Sequence, residues 1–308
     1  MIKTTNIQHR YGEILALHDL NLEIPAQAIY GFIGPNGAGK STTINILATL
    51  LRPTAGKAWV DGIEVSQHPM EVRRRVGYMP ETFGVYEDML LWEYLEFFSA
   101  AYKVPARKRG PIIDDVLTLT ELHRLRDRRL DSLSRGMRQR LCLAKTLVHD
   151  PKVLLLDEPA SGLDPRARIE FRGLLQTLAE MGKTILVSSH ILAELSRVCS
   201  HIGILESGRL LASGPVAEVL SSVRAHRRIR VECTASAASA KELVMEMQQV
   251  RDPVLDEHVL FFDFLGTNDE LAAIPAVLLE NGIRFSSFSE QGINLEDLFL
   301  EITTGDIQ

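Results

Sequence analysis

The chain has 308 residues, of which 45% are hydrophobic and 24% are charged, and its net charge is −6. This length suffices for one large domain or two ordinary domains, and the acidic balance argues against a nucleic-acid-binding protein. Three widely separated cysteines argue against a disulfide scaffold or a structural zinc site and indicate a reducing compartment. The sequence shows no signal peptide and no apolar run long enough to span a bilayer, so we expect no direct membrane insertion.

The first predicted elements are short β-strands. Residues 2–9 and 20–24 are β-like runs separated by turns, and a further pair, 57–60 and 63–65, flanks Asp61-Gly62. An Asp-Gly pair between two such runs is a strong hairpin signal. We therefore expect antiparallel sheet near the front of the chain.

A phosphate-binding pattern follows the buried strand that we predict at residues 28–33. In the pattern G-x-x-x-x-G-K-[ST], glycine N–H groups approach phosphate oxygens, the Lys binds the outer phosphates and the hydroxyl can coordinate Mg²⁺. Apolar spacing over residues 41–51 predicts a helix whose N-terminus adds to the anion site. We expect nucleoside triphosphate binding at Gly34, Pro35, Asn36, Gly37, Ala38, Gly39, Lys40, Ser41 and Thr42.

The region from about residue 85 to residue 150 is predicted to be helical. Residues 90–102 form an aromatic-rich amphipathic stretch, and residues 111–119 and 133–149 continue the helical pattern. Residues 103–140 contain eleven Lys or Arg against five Asp or Glu. This excess is typical of a solvated face, or of a surface for phosphates or an anionic partner.

Two apolar runs, residues 153–156 and 184–187, predict buried strands of an α/β fold with a parallel sheet covered on both faces. Asp157 and Glu158 follow the first run directly, and His190 follows the second. Ligands of such sheets bind at the carboxyl ends of the strands. These side chains and the phosphate loop are therefore predicted to form one site.

The composition changes near residue 222, so we predict one domain at residues 1–222 and another at residues 223–308. Residues 226–308 contain six Lys or Arg and fifteen Asp or Glu. Their predicted element order, βαββαβ, resembles a small ferredoxin-like α+β domain. A final helix is predicted at residues 295–302.

The motifs and their spacing resemble one family. Asp157 lies 117 residues after Lys40, and residues 133–140 (LSRGMRQR) lie between them. In this order, the motifs of residues 1–220 are similar to those of the ATP-binding cassette (ABC) family, specifically the ATPase subunits of transporters. The resemblance implies a P-loop NTPase fold with a RecA-like core, an antiparallel β subdomain and a helical subdomain at about residues 85–150.

The resemblance implies a head-to-tail dimer in which each copy completes the other's ATP site. The family's Ser-x-Gly signature, here Ser134 and Gly136, would cap the γ-phosphate of ATP held by the second copy. A Ser hydroxyl and N–H groups at a helix N-terminus suit an anion. Asp164 belongs to residues 161–165, which match the segment that crosses the dimer interface. Arg135 replaces the usual glycine of the signature, and we expect capping to survive.

The resemblance also assigns roles within one chain. Asp157 would hold Mg²⁺ through water, and Glu158 would be the general base that polarises the attacking water. His190 would contact the γ-phosphate and hold that water in place. Phosphoryl transfer needs positioning and charge neutralisation, which these residues and Lys40 supply. Lys40, Glu158 and His190 are therefore the expected catalytic residues.

Two further residues match family positions less closely. Tyr11 occupies the place of the adenine-stacking aromatic residue. Glu81 occupies the place of a glutamine that contacts Mg²⁺ and the attacking water, and it adds a negative charge beside a polyphosphate. The expected metal ligands are Ser41, Asp157 and Glu81, and the expected ligands are ATP and Mg²⁺.

The resemblance implies a separate integral membrane permease of an exporter-type system, with residues 85–89 and 92–102 as candidates to receive its helix. The chain would then be cytoplasmic and peripheral on the inner face of the cell membrane. A nucleotide-gated regulatory module is an alternative that Glu81 supports. A nucleic-acid-associated ABC ATPase is another, which the single cassette and the acidic C-terminal domain disfavour.

Overall fold

The computed structural model describes residues 1–82, 84, 88–191, 195–223 and 227–290. The chain forms two compact units that divide between Val216 and Ala217, a few residues before the predicted boundary. Residues 85–87 of the predicted permease-facing segment and the predicted helix at residues 295–302 lie outside the described residues.

The first unit contains a six-stranded sheet whose strands are parallel except for one antiparallel edge strand. The strands β3 (Ile29–Ile33), β7 (Val153–Leu156) and β8 (Thr184–Ser189) are buried at every position, as expected for a parallel sheet covered on both faces, and this confirms the predicted α/β fold. From the antiparallel edge, the strands are β10 (Arg209–Pro215), β9 (His201–Glu206), β3 (Ile29–Ile33), β8 (Thr184–Ser189), β7 (Val153–Leu156) and β6 (Val76–Met79).

The same unit contains the antiparallel sheet predicted near the front of the chain. Its strands alternate buried and exposed residues along most of their length, which is typical of a sheet with one solvated face. The predicted hairpin at Asp61-Gly62 joins its last two strands. In sheet order, the strands are β2 (Ile14–Ile24), β1 (Ile2–Tyr11), β4 (Ala55–Val60) and β5 (Ile63–Glu64).

Helices connect the strands of the first unit, and the predicted helical region lies between β6 and β7. The helix after the phosphate loop is shorter than predicted, because Thr49 has a φ of 65° and the N–H groups of Leu50 and Leu51 both bond to Asn45 O. The helices of the first unit are α1 (Lys40–Leu47), α2 (Pro69–Arg75), α3 (Leu91–Ala101), α4 (Ala106–Leu119), α5 (Arg135–Leu147) and α6 (Pro165–Glu180), and the next helix, α7 (Val216–Val223), begins where the two units divide.

The second unit has the predicted ferredoxin-like order. Its four strands form an antiparallel sheet in the order β12 (Val250–Asp256), β13 (Val259–Phe264), β11 (Arg227–Ala235) and β14 (Arg284–Glu290). Ile229, Val231 and Phe262 belong to a hydrophobic cluster of this unit. The elements are β11 (Arg227–Ala235), α8 (Ala237–Met245), β12 (Val250–Asp256), β13 (Val259–Phe264), α9 (Asn268–Glu280) and β14 (Arg284–Glu290). Across the described part of both units, no helix has both the length and the apolar character needed to cross a bilayer.

Candidate nucleotide site

The phosphate loop connects β3 to α1, as the sequence predicts. Gly39 has a φ of 101°, and a Cβ atom there would lie 2.6 Å from Leu17 Cδ2. Glycine suits this position because L-residues rarely adopt that conformation and a neighbouring side chain fills the space. Lys40 Nζ donates hydrogen bonds to the carbonyl oxygens of Gly34 (2.6 Å) and Pro35 (3.1 Å), so it lies against its own loop.

Glu158, which follows β7, lies between a buried cation and an imidazole. Its Oε1 is 3.5 Å from Lys40 Nζ, and both side chains are buried. Burial lowers the pKa of Lys40, and the charges of nearby carboxylates, chiefly Glu158, oppose that shift. Glu158 Oε2 is 3.0 Å from Nδ1 of His190, whose side chain is 48% exposed. The three side chains thus form a row from the interior to the surface.

Ser188, in β8, connects the two adjacent acidic residues. Its hydroxyl donates to Asp157 Oδ1 (2.7 Å) and accepts from the N–H of Glu158 (2.8 Å). The N–H of Asp157 donates to Met79 O (2.8 Å), which joins the end of β7 to β6. Ser188 is not among the predicted site residues, and its one signal in the sequence is a hydroxyl directly after the apolar run at residues 184–187.

Most residues predicted to contact phosphates line one cleft of about 400 Å³. Glu81, Glu158 and His190 also line it, together with Ser161, to which the sequence analysis assigns no phosphate contact. Asp157 is 3% exposed and is not among the lining residues. The loop residues that line the cleft are Pro35, Asn36, Gly37, Ala38, Gly39, Lys40, Ser41 and Thr42.

Gly34 and Tyr11 are among the predicted nucleotide-binding residues that lie outside this lining. Gly34 supplies the carbonyl oxygen that accepts from Lys40. Tyr11, at the end of β1, is 48% exposed, and its ring makes an edge contact with His9 at a centroid distance of 4.6 Å. Stacking of adenine on Tyr11 therefore stays a prediction.

A second cleft, of about 380 Å³, contains the other predicted nucleotide-binding residues. Ser134, Gly136 and Asp164 all line it, and it shares no lining residue with the phosphate-loop cleft. Ser134 caps α5 by accepting from the N–H of Met137 (3.4 Å), and Asp164 caps α6 by accepting from that of Ala167 (2.9 Å). The structure thus divides most of the predicted nucleotide-binding residues between two separate clefts.

The phosphate-loop cleft suits a hard divalent cation. Ser41 offers a hydroxyl there and Glu81 a carboxylate, and the buried Oε1 of Glu158 makes no hydrogen bond with the described residues. Oxygen ligands of this kind are the ones that Mg²⁺ prefers. The donor set therefore fits the metal that the sequence predicts.

A phosphate loop at the end of a central strand, with acidic residues at the end of another strand of the same sheet, defines a P-loop nucleotide-binding domain. Comparison with known proteins refines this class. Residues 17–161 match the family described as ABC transporter. The chain is 32% identical over 303 residues to a Nod factor export ATP-binding protein I of Burkholderia orbicola, covering 98% of this chain and 97% of that protein.

It is also 33% identical over 309 residues to the bacitracin transport ATP-binding protein BcrA of Bacillus licheniformis, covering 99% of this chain and 98% of that protein. A dimeric, post-hydrolysis structure of the ATP-binding cassette MJ0796, bound to ADP and Pi, superposes with a TM-score of 0.64 and 27% identity. That match covers 70% of this chain and 99% of the cassette. The chain therefore belongs to the ABC transporter family, as one of its ATP-binding ATPase subunits.

Proposed function

We propose that two copies of this chain associate head to tail around two ATP molecules. The phosphate-loop cleft of one copy would face the second cleft of the other copy, which is lined by Ser134 and Gly136 and is called the Ser134–Gly136 cleft below. The observation that carries this proposal is the division of the predicted nucleotide-binding residues between two clefts of one unit. Neither cleft alone holds all of them, whereas two copies together bring both sets to each nucleotide. The similar cassette MJ0796 is dimeric.

Within the phosphate-loop cleft, Glu158 would act as the general base for hydrolysis of ATP. Its Oε1 is buried, makes no hydrogen bond with the described residues and lies next to Lys40, so it can accept a proton from an attacking water. The incoming phosphates would compete for Lys40 and release Glu158 from its ion pair. His190 would keep Glu158 and the water in place through the Nδ1–Oε2 contact.

Mg²⁺ would be held by the Ser41 hydroxyl and the Glu81 carboxylate, with Asp157 acting through water. The bound metal neutralises the charge that develops on the transferred phosphoryl group. Asp157 suits an indirect role because its carboxylate is buried and accepts from Ser188.

We further propose that a separate membrane permease is the partner, in a system for export. The two relatives are named for export and transport and are described as ATP-binding proteins, and this chain covers almost their whole length. Helix α3 offers an aromatic surface for such a partner: Phe97 is 49% exposed, and Arg126 Cζ lies 5.4 Å from the centroid of Trp92. The chain would then work as a peripheral protein at the membrane.

The test is ATP-dependent association of the Glu158→Gln variant, measured by light scattering with and without Mg-ATP. We expect a monomer-to-dimer shift and hydrolysis slower by about 10²–10⁴-fold, because the general base is lost while nucleotide binding remains. Lys40→Ala should bind ATP weakly and stay monomeric. A Glu158→Gln chain that binds Mg-ATP and remains monomeric would contradict the shared site, and a wild-type chain that binds ATP without hydrolysing it would favour the regulatory alternative.

A further inference from the structure

Arg135, between the two signature residues Ser134 and Gly136, lies directly on the backbone of Gly162. A Cβ atom on Gly162 would lie 2.1 Å from Arg135 Cζ and 2.3 Å from each terminal nitrogen. The guanidinium group, at the flexible end of the Arg135 side chain, therefore occupies the space of a side chain at position 162 and would have to move to admit one. Gly162 also has a φ of 67°, a conformation that favours glycine.

Polar pairing does not account for this contact. Arg135 is exposed, and within the described ranges its guanidinium group makes no hydrogen bond or ion pair. It is the first residue of α5, where a cation is unfavourable because of the positive end of the helix dipole. Its placement follows from the contact with Gly162 rather than from a carboxylate partner.

Gly162 belongs to a tight turn that connects the two clefts. The N–H of Ser161 donates to Glu158 O (3.0 Å), and that of Leu163 donates to Ala160 O (3.2 Å). Ser161 lines the phosphate-loop cleft together with Glu158, whereas the next residue, Gly162, lines the second cleft. A displacement of Gly162 would therefore be transmitted through one short turn to the backbone of Glu158.

We propose that Arg135 is a positioning residue that couples the Ser134–Gly136 cleft to Glu158 of the same chain. Its guanidinium holds Gly162, and the 158–162 turn holds Glu158. Occupation of the second cleft by the nucleotide of the other copy would then set the position of the general base. The inference rests on the proposed head-to-tail site and adds a route within one chain.

The first experiment compares steady-state hydrolysis by wild type, Arg135→Ala, Arg135→Lys and the control Arg166→Ala. Arg166 is a 90% exposed arginine of α6 whose guanidinium pairs with Glu170. For Arg135→Ala we expect a kcat lower by about tenfold or more, since small misplacements of catalytic groups have effects of this size, and a Hill coefficient that falls towards one. ATP binding to isolated chains at low protein concentration should change less than twofold. Arg135→Lys should recover part of kcat, and Arg166→Ala should resemble wild type.

The second experiment is a double-mutant cycle with Gly162→Ala. The added methyl group should lower kcat strongly beside Arg135 and less in the Arg135→Ala background, where only the backbone strain remains. Equal fold-losses in both backgrounds, or an Arg135→Ala chain with wild-type kcat and Hill coefficient, would overturn the inference. Association of the Glu158→Gln chain with Mg-ATP separates the two proposals. If that chain dimerises while the cycle shows no coupling, the shared site stands and the role of Arg135 fails.

Discussion

At the scale of single residues, one hydroxyl organises two adjacent carboxylates. Ser188 donates to the carboxylate of Asp157 and accepts from the backbone N–H of Glu158, so one hydroxyl group makes a hydrogen bond to each acidic residue. Asp157 is held by its side chain and Glu158 by its backbone. The carboxylate of Glu158 thereby stays available for Lys40 and His190.

Ser188→Ala should therefore impair both stability and hydrolysis. Loss of the hydroxyl leaves a buried oxygen of Asp157 without its donor, which we expect to cost about 1–3 kcal/mol of unfolding free energy. Denaturant unfolding and steady-state kcat measure the two effects. The matched control is Ser189→Ala, which removes a hydrogen bond to the N–H of Ile191 and touches neither carboxylate. Equal effects on kcat from both substitutions would contradict a specific role for Ser188.

The buried pair of Lys40 and Glu158 gives a second prediction at this scale. In the absence of nucleotide, Lys40→Ala leaves a buried carboxylate without its cation, so it should destabilise the first unit by about 3 kcal/mol. Adding Glu158→Gln removes the unpaired charge, and the double variant should recover part of the loss. Thermal unfolding without ATP tests this. If the double variant is less stable than Lys40→Ala alone, the pair does not control stability in the way we describe.

Local motifs predicted much of the candidate site, whereas its contacts between distant segments could not be predicted. The loop at Gly34–Thr42 is contiguous and its chemistry is readable from residue types alone. The link from Ser188 to Asp157 joins the ends of two strands that are 31 residues apart in the chain. The contact of Arg135 with Gly162 depends on how two helix N-termini pack. Neither pair has a sequence spacing that distinguishes it from other pairs.

At the scale of elements, His149 joins the end of α5 to β6, the strand that leads to Glu81. Nε2 of His149 lies 3.0 Å from Val76 O, so this nitrogen carries the proton and donates. The ring stacks on Tyr102 at a centroid distance of 3.7 Å and an interplanar angle of 5°. Nδ1 is buried and has no hydrogen-bond partner among the described residues. Burial lowers the pKa of His149 below its ordinary value.

This arrangement predicts a pH-dependent stability of the first unit. Because the pKa of His149 is lower in the folded chain, the unfolded chain binds the proton first as pH falls through the ordinary value of 6.5. The stabilisation is complete above that pH and decreases at lower pH, until the folded form is also protonated. His149→Gln keeps a donor for Val76 but does not titrate. Between pH 8 and pH 5, the free energy of unfolding should change less with pH in the variant than in the wild type. Equal slopes would show that His149 is not the source of the pH dependence.

The order and type of the elements were predictable because hydrophobic periodicity is local. Buried strands such as β7 are continuous apolar runs, and the helical region between β6 and β7 shows helical spacing. The residues at which helices and strands end were harder to predict. The apolar pattern of α1 continues to residue 51, but the helix ends at Leu47 because Thr49 adopts a left-handed conformation. Such an end depends on a single backbone angle, which periodicity does not encode.

At the scale of the whole molecule, the two units have separate hydrophobic clusters. The cluster that contains Phe32 and Leu155 lies entirely in the first unit, and the cluster around Phe262 and Leu278 lies entirely in the second. Both clefts lie in the first unit. The residues that would bind a ligand in those clefts therefore belong to the first unit.

Calorimetry should consequently resolve two unfolding transitions, of which Mg-ATP shifts only one. A ligand at 100 times its Kd stabilises the binding unit by about 2.7 kcal/mol, and for a unit of this size each kcal/mol raises Tm by roughly 2–4 °C. The measurement uses Glu158→Gln, so that ATP persists during the scan. In Glu158→Gln/Lys40→Ala, the ATP-dependent shift should vanish while the second transition keeps its Tm. A single transition would show that the two units unfold as one. Two transitions that shift equally would show that stabilisation by the nucleotide extends beyond the unit that binds it, and either result would contradict the prediction.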